Sequence, residues 1–401
     1  MGKNSDWIHH KLFNAGVSSW NRWARTVISD EEIDRLKLSG NQKNVFKKIK
    51  PFNENEKSEI TSDLGIEKFS DISRDIVWVS LPNKINLSFE EFIFPGEVSF
   101  SGMKFEKDVS FSKAVFCNEV TFVSAKFYFD VSFKDVEFCR HVKFNNTVFR
   151  KKVICDFVKF HCGVDFSGAR FSGEAKFIST LFGDISIFRK TEFGGFAYFT
   201  ESKFIYEVFF YEAIFESITY FDKIEFKDAV SFNYTEFKHV ANFNSSIFLK
   251  SISFTNSKFQ NSTNFKHVTF YSPPEFFNVD LHQDTSFCQA KYLDTRGDKG
   301  DSEGNMRAWR VLKLAMNKTH HHDQELMYFS FEMDAKSANY WFERSYINWF
   351  LVSCYKLFSG YGTSFVRPLV SLFVLWGGFA LLYSYFMLGG IGVFQGSCRF
   401  F

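Results

Sequence analysis

From Phe94 onward the large apolar positions recur at alternating steps of six and five residues: Phe94, Phe100, Phe105, Phe111, Phe116, Phe122 and onward. The underlying period is eleven. Carried to Tyr292, the rule marks 37 positions, of which 34 are Phe and the others are Cys155, Leu281 and Tyr292. Two residues before almost every one of them stands a small residue, as at Val98, Val109, Ala114, Val120, Ala125 and Thr147. Residues i and i−2 of an extended segment point to one side, so each short segment turns one small and one large group inward. Glu106, Lys107 and Asp108, lying between such pairs, face water. A 3.6-residue period cannot hold this pattern on one helix face over about two hundred residues. Short strands joined by tight corners can.

Phe-Ser-Lys-Ala-Val-Phe (111–116) and Phe-Ser-Gly-Ala-Arg-Phe (166–171) carry a large apolar centre with a small residue two places before it. In this the chain resembles the pentapeptide-repeat family, over about half of its length. The resemblance implies a mainly β fold: a right-handed quadrilateral β-helix in which each face contributes one repeat and two elevens make one coil. Phe94, Phe116, Phe138 and their successors to Phe270 are then expected to form one ladder. Phe100, Phe122, Phe144, Phe166, Phe188, Phe210, Phe232, Phe254 and Phe276 form a second, and the series begun by Phe105 and Phe111 supply the other two. The extra residue on alternate steps departs from the plain family repeat and is expected to bulge a corner or widen two opposite sides. About nine coils at ~4.8 Å each make a rod of about 43 Å whose ends need covers.

Before the rod, residues 1–90 are expected to form a helical and irregular cap, with a helix from Ser18 to Ile33 carrying Trp20, Trp23 and Ala24 on one face. Polar residues around Asn53 to Ser58 look like a linker. Trp20-Asn21-Arg22-Trp23 resembles the lead-in before the repeats of bacterial pentapeptide-repeat proteins.

After the rod (91–293), residues 294–342 predict a linker and a helical hairpin, with helices over Glu303 to Asn317 and Asp323 to Trp341. The acidic, Gly-rich stretch beginning at Asp294 fails the calcium-loop spacing, because Arg296 and Lys299 stand at ligand and turn positions. His320, His321 and His322 are adjacent and cannot easily face one ion. Arg310-Val-Leu-Lys313 and Phe329-Ser-Phe-Glu332 resemble the hairpin of membrane-bound members of the family, with the basic and acidic groups expected to pair across it.

Residues 343–401 change solvent. Leu369 to Leu388 runs 20 residues without an ionisable acid or base, enough to cross a ~30 Å hydrocarbon layer, and Pro368 suits a first helical turn. One transmembrane helix is expected at about 368–390, anchored by Arg367, Pro368 and Trp376. Trp341 to Phe358, with Trp349, reads as an aromatic helix at the lipid interface. Arg344, Lys356 and Arg367 precede the span and Arg399 follows it, which places the rod on the cytoplasmic side, in a bacterial inner membrane. Tyr361-Gly-Thr-Ser followed by Arg367-Pro368 resembles the approach to the first membrane helix in membrane-bound members, some of which continue to a second. The chain ends 13 residues after Leu388, as a truncated relative would.

Composition narrows function. A formal net charge of +2 supplies no basic stripe for nucleic acid. Seven cysteines with no N-terminal apolar segment point to free thiols in a reducing compartment, and Asp6 breaks the myristoylation pattern. Cys155 takes a core slot as a small buried thiol. Cys117 and Cys139 lie one coil apart and are expected side by side, two ligands being too few for a metal. No catalytic residue, cofactor motif or metal site emerges, so an enzyme is not expected. The expected role is a membrane-anchored scaffold with contacts to lipid and to an unidentified protein, in no specified oligomeric state. Two alternatives stand beside it. Gly360-Tyr361-Gly362 hints at a channel-like subunit, though it lacks a Thr-Val before it and a helix on each side. A gyrase-protecting DNA mimic is known in the family, but the rod's Lys plus Arg and Asp plus Glu are nearly equal, about 23 each.

Overall fold

The computed structural model describes residues 3–64, 66, 68–77, 87–295, 302–319 and 321–394. It divides into two compact units, Met1–Asp294 and Thr295–Phe401.

The first unit is a parallel β-solenoid of about nine coils built almost entirely from two-residue strands. Each coil visits four sheets in turn. The first face has nine strands, from Ile76–Val77 through Val98–Ser99 to Ile252–Ser253. The second has eight, from Lys104–Phe105 to Lys258–Phe259. The third has nine, from Leu87–Ser88 through Val109–Ser110 to Thr263–Asn264, and the fourth ten, from Ile93–Phe94 to Lys291–Tyr292. Every pairing is parallel and shifted by 22 residues, as in Val98 opposite Val120 and Phe94 opposite Phe116. The winding is the right-handed, four-sided one that the family resemblance implies. The register admits no slip, because a one-residue shift would turn every Phe outward.

The rings stack coil on coil. Phe94 and Phe116 lie 4.4 Å apart at an interplanar angle of 3°, Phe105 and Phe127 4.3 Å at 1°, Phe111 and Phe133 5.0 Å at 2°. The ladder through Phe100 and Phe122 continues past Phe166, Phe188, Phe210, Phe232 and Phe254 to Phe276. The first-face and third-face ladders also meet edge to face across the rod axis, as in Phe122 and Phe133 at 5.6 Å and 83°. Stacked along the axis and T-shaped across it, the rings satisfy their quadrupoles in both directions. Cys155 sits 3 % exposed in a third-face slot and interrupts that ladder between Phe133 and Phe177.

The six-and-five alternation makes the four sides inequivalent. On faces one and three the small residue opens the strand and the Phe follows it; on faces two and four the Phe closes the strand. The five-residue steps turn tightly: Met103 N–H donates to Phe100 O at 3.2 Å and Ala114 N–H to Phe111 O at 2.9 Å. Each such turn holds one residue at positive φ, recurring every eleven from Glu91 through Gly102, Lys113 and Ser124 to Gln289. None of these is Val, Ile, Thr or Pro, the residues least able to adopt that conformation. The six-residue steps carry the extra residue in open bends instead.

Several hydroxyls enter the core with their hydrogen bonds satisfied, although those of Thr263 and Thr285 are buried without a partner among the described residues. Thr147, Thr191 and Thr235 are buried at the small position, and each donates to the carbonyl of a Phe in the preceding coil, at 2.7, 2.9 and 2.7 Å. That carbonyl already accepts a turn N–H and uses its second lone pair.

Five helices precede the rod within the same unit: α1 (Lys3–Asn14), α2 (Val17–Val27), α3 (Asp30–Arg35), α4 (Gly40–Lys48) and α5 (Glu54–Leu64). Two sequence expectations change here. The helix anticipated from Ser18 to Ile33 is two helices, because Ser29 and Glu32 form a capping box that starts α3. The supposed linker at Asn53 to Ser58 is the start of α5: Asn53 Oδ1 accepts from Glu56 N at 2.9 Å, and Glu56 Oε2 from Asn53 N at 2.8 Å. Rod structure also begins before residue 91, with Ile76–Val77 paired on the first face and Phe89 stacked on Phe111 at 4.9 Å.

The second unit holds α6 (Ser302–Lys318), α7 (His322–Phe342), α8 (Tyr346–Ser359) and α9 (Val366–Phe394). The aromatic segment expected as one interfacial helix from Trp341 to Phe358 is broken. α7 ends at Phe342 and Arg344 takes φ 57°, so Trp341 belongs to the hairpin. The Gly-rich loop at 296–301 and His320 lie outside the described residues.

Candidate functional site

The N-terminal end of a solenoid exposes unpaired strand groups. On the fourth face Ile93 presents both its N–H and its C=O toward that end. Asn21 Oδ1 accepts the N–H at 2.9 Å and Trp20 Nε1 donates to the C=O at 2.8 Å. Asn21 Nδ2 also donates to Glu91 O at 2.9 Å. One turn of α2 thus imitates the missing rung. Trp20 and Trp23 are fully buried, Trp20 edge-on to Phe94 at 5.6 Å, and the apolar stack closes as well. Arg22, between them, faces the other way: it pairs with Glu56 at 2.7 Å and lies over the Phe52 ring at 4.5 Å, fastening α5.

α4 lies against the fourth face, where it covers Glu137. This outward residue of the sheet is only 2 % exposed. Burial pushes its carboxyl up. Hydrogen bonds from His161 Nε2 at 2.8 Å, Lys159 Nζ at 2.6 Å and Gln42 outweigh that and hold it at about 2. Gln42 belongs to the Ser39 capping box that starts α4, so one side chain both opens the helix and docks it. The outward slot of a repeat gives no hint that Glu137 is covered; the Ser39 and Gln42 box was the available signal.

Cys117 and Cys139 occupy equivalent corner positions on successive coils and are buried, and Cys162 Sγ donates to Cys139 O at 3.4 Å. Burial raises the Cys117 thiol well above its usual range and the Cys139 thiol to about 12, so both are protonated at neutral pH. Among the described residues no group of three or more His, Cys, Asp or Glu is placed to hold a metal ion.

On the outside of the rod, charges stack in register across coils. Arg170 meets Glu192 at 2.7 Å, Lys238 meets Glu216 at 2.8 Å and Lys223 meets Glu201 at 3.2 Å, each 22 residues apart. Several large apolar groups are exposed on the rod, among them Phe129, Phe157 and Phe196, and one set of them lies on or beside the first face in its middle coils. It comprises Ile185, Tyr206, Phe209 and Tyr234, exposed by 40, 51, 37 and 53 %.

In the second unit Glu332 of α7 is buried between two cations of α6, Arg310 Nε at 2.8 Å and Lys313 Nζ at 2.6 Å. Burial raises its carboxyl, and the two cations more than reverse that, leaving it lowered. Trp309 stacks on Tyr328 at 5.9 Å and donates its indole N–H to Thr295 O at 2.8 Å.

Gly360-Tyr361-Gly362 is a helix stop. All three residues have positive φ, 57, 59 and 82°, and Gly360 is the left-handed cap of α8. Tyr361 is buried, with its hydroxyl on Asp334 Oδ1 at 2.9 Å, and Lys356 Nζ meets the same oxygen at 2.6 Å. Arg367 donates to Lys356 O at 3.3 Å, placing a cation on the carbonyl end of α8. Pro368 is the third residue of α9, where it costs no helical bond. Trp349 packs on Trp341 at 5.1 Å, and Trp376 stands 73 % exposed on α9.

α9 is long and apolar enough to cross a membrane over Val366–Met387, 22 residues of which none of the hydropathic window is buried. It is a candidate span by length and composition.

A closed, parallel, four-sided solenoid with a Phe on each side defines a repeat scaffold. The chain matches the pentapeptide-repeat family in nine copies, with residues 89–137 matched. The chain carries pentapeptide repeats wound as a β-solenoid, together with one candidate transmembrane helix. Neither the curated proteins nor the solved structures contain a match.

Proposed function

We propose that this protein is a membrane-tethered, non-catalytic scaffold that binds a protein partner on the outer surface of its solenoid. The observation that carries the proposal is the contrast between the two apolar surfaces. The rod's inward rings are covered by one another, whereas none of the apolar window of α9 over Val366–Met387 is buried, and it needs lipid to cover it. α8 extends that surface: Ile347, Phe350 and Leu351 are 77, 60 and 59 % exposed, as suits a helix in the headgroup layer. The cations Arg344, Lys356 and Arg367 before the span favour a cytoplasmic solenoid, in a bacterial inner membrane. The exposed aromatic groups around Phe209 have the character of an interface core, and they support the first face as the partner's seat.

The test has two arms. After bacterial expression the full chain is expected in the membrane pellet and to resist an alkaline carbonate wash; recovery in the soluble fraction would end the tether. A photo-crosslinking residue at Tyr206 or Tyr234 is expected to capture one defined protein that a crosslinker at Lys258, on the second face, does not. Equal capture at all positions would end the face assignment.

A further inference from the structure

The solenoid unit contains eight arginines, and six have a partner. Arg22, Arg74 and Arg170 pair with Glu56, Glu32 and Glu192, and Arg25 with Asp30. Arg150 and Arg189 lie over the rings of Tyr128 and Tyr211. Among the described residues Arg35 and Arg140 have neither a carboxylate nor a ring. Both line the same cleft, of about 370 Å³, between α3 and the fourth-to-first corner of the opening coils. Two guanidinium groups with no protein carboxylate or ring open onto the same concavity, and each fork presents donors matched to an oxyanion.

The surroundings agree with that chemistry. Arg74, Gly96, Asn118 and Arg140 follow one another at intervals of 22 residues, so they stand in a column along the corner, and Arg35 approaches from α3. The two carboxylates in the lining are already engaged. Glu32 accepts from Ser29 N at 2.9 Å and from Arg74, and Asp75 accepts from Glu97 N at 2.9 Å. Asn118 Oδ1 accepts from Glu119 N at 2.9 Å, which leaves its amide N–H groups to the cleft. Gly96 lets the corner close: a Cβ there would stand 2.0 Å from Arg74 O. The lining thus carries three guanidiniums against two committed carboxylates, and its free donors are Arg35, Arg140 and Asn118.

We propose that this cleft binds a small soluble oxyanion of the phosphate class, held by Arg35 and Arg140 with Asn118 as a neutral donor. Ile28 and Leu36 form an apolar wall beside it, so an organic substituent on the phosphate has a place to lie. The proposal does not rest on the membrane tether or on a protein partner at the first face.

Inorganic phosphate is the probe, titrated calorimetrically into the detergent-solubilised full chain at constant ionic strength. Saturable binding is expected at about 1 mM or tighter. Arg35→Gln and Arg140→Gln are each expected to weaken it by about tenfold or more, and Arg150→Gln to leave it unchanged. Neither cleft arginine makes an internal bond, so both variants are expected to fold, with superimposable circular dichroism. A second measurement needs no variant: phosphate is expected to shield Arg35 and Arg140 from phenylglyoxal while Arg150 still reacts, read by peptide mass mapping. Absence of saturable heat, binding that survives in the double variant, or equal modification with and without phosphate each overturns the site.

Discussion

Trp20 gives its indole N–H to the carbonyl of Ile93 at 2.8 Å, across 73 residues of sequence. A side chain of the cap thereby stands in for a strand that does not exist. A parallel edge left open is a template for pairing with another chain, and the indole with the neighbouring Asn21 amide closes it on the fourth face.

Trp20→Phe keeps the ring and removes the donor, leaving a buried carbonyl unsatisfied. The expected cost is ~1–3 kcal/mol, and Asn21→Leu, which strips Ile93 N–H and Glu91 O of their partners, costs at least as much. Hydrogen exchange is the readout: amides of the first coil are expected to lose protection while those near Phe232 keep theirs. Uniform loss along the rod would show that the cap acts on global stability and not on the edge.

Phe188 touches Phe166 at 5.0 Å, Phe210 at 4.7 Å and Phe199 edge-on at 5.6 Å. Phe188→Ala is expected to cost roughly 3–5 kcal/mol, and the damage is expected to split the rod's unfolding into two transitions, because each coil is supported chiefly by its neighbours. Urea denaturation followed by near-ultraviolet dichroism checks both.

Ser245 holds φ 61° in one of the tight turns and its side chain is half-buried. Relief of left-handed strain exceeds the entropy cost of glycine, so Ser245→Gly is expected to stabilise by about 0.5–1 kcal/mol. Ser245→Val goes the other way, by about 1–2 kcal/mol, since a branched Cβ resists positive φ. A lower denaturation midpoint for the glycine variant would contradict the turn assignment.

Glu137 is held at about 2 against an ordinary 4.5, so its hold on α4 is complete above about pH 4.5 and is lost as the pH falls toward 2. Amides of α4 are expected to exchange faster at pH 3 than at pH 6 after correction for intrinsic rates, whereas the coils around Phe210 stay protected. Glu137→Gln is expected to abolish that pH dependence.

Much of this molecule was legible in one dimension. Phe at alternating six and five, with a small residue two before almost every one, determines the strands and their inward faces; the family resemblance supplies the 22-residue coil, and the ladders follow it except on the second face, which ends at Phe259, one coil short of Leu281. The reason is that each repeat meets the same neighbours, so a local pattern is also the global one. Where contacts are not periodic, the tertiary structure decided. No spacing says that Asn21 will serve as a strand, that α4 will cover Glu137, or that Tyr361 will reach Asp334 and convert Gly-Tyr-Gly into a helix stop. Nor does spacing say that Arg35 will share a cleft with Arg140. Those meetings depend on how a non-repeating helix lands on the rod or on another helix, and hydrogen-bond geometry is set only when the two surfaces are in contact.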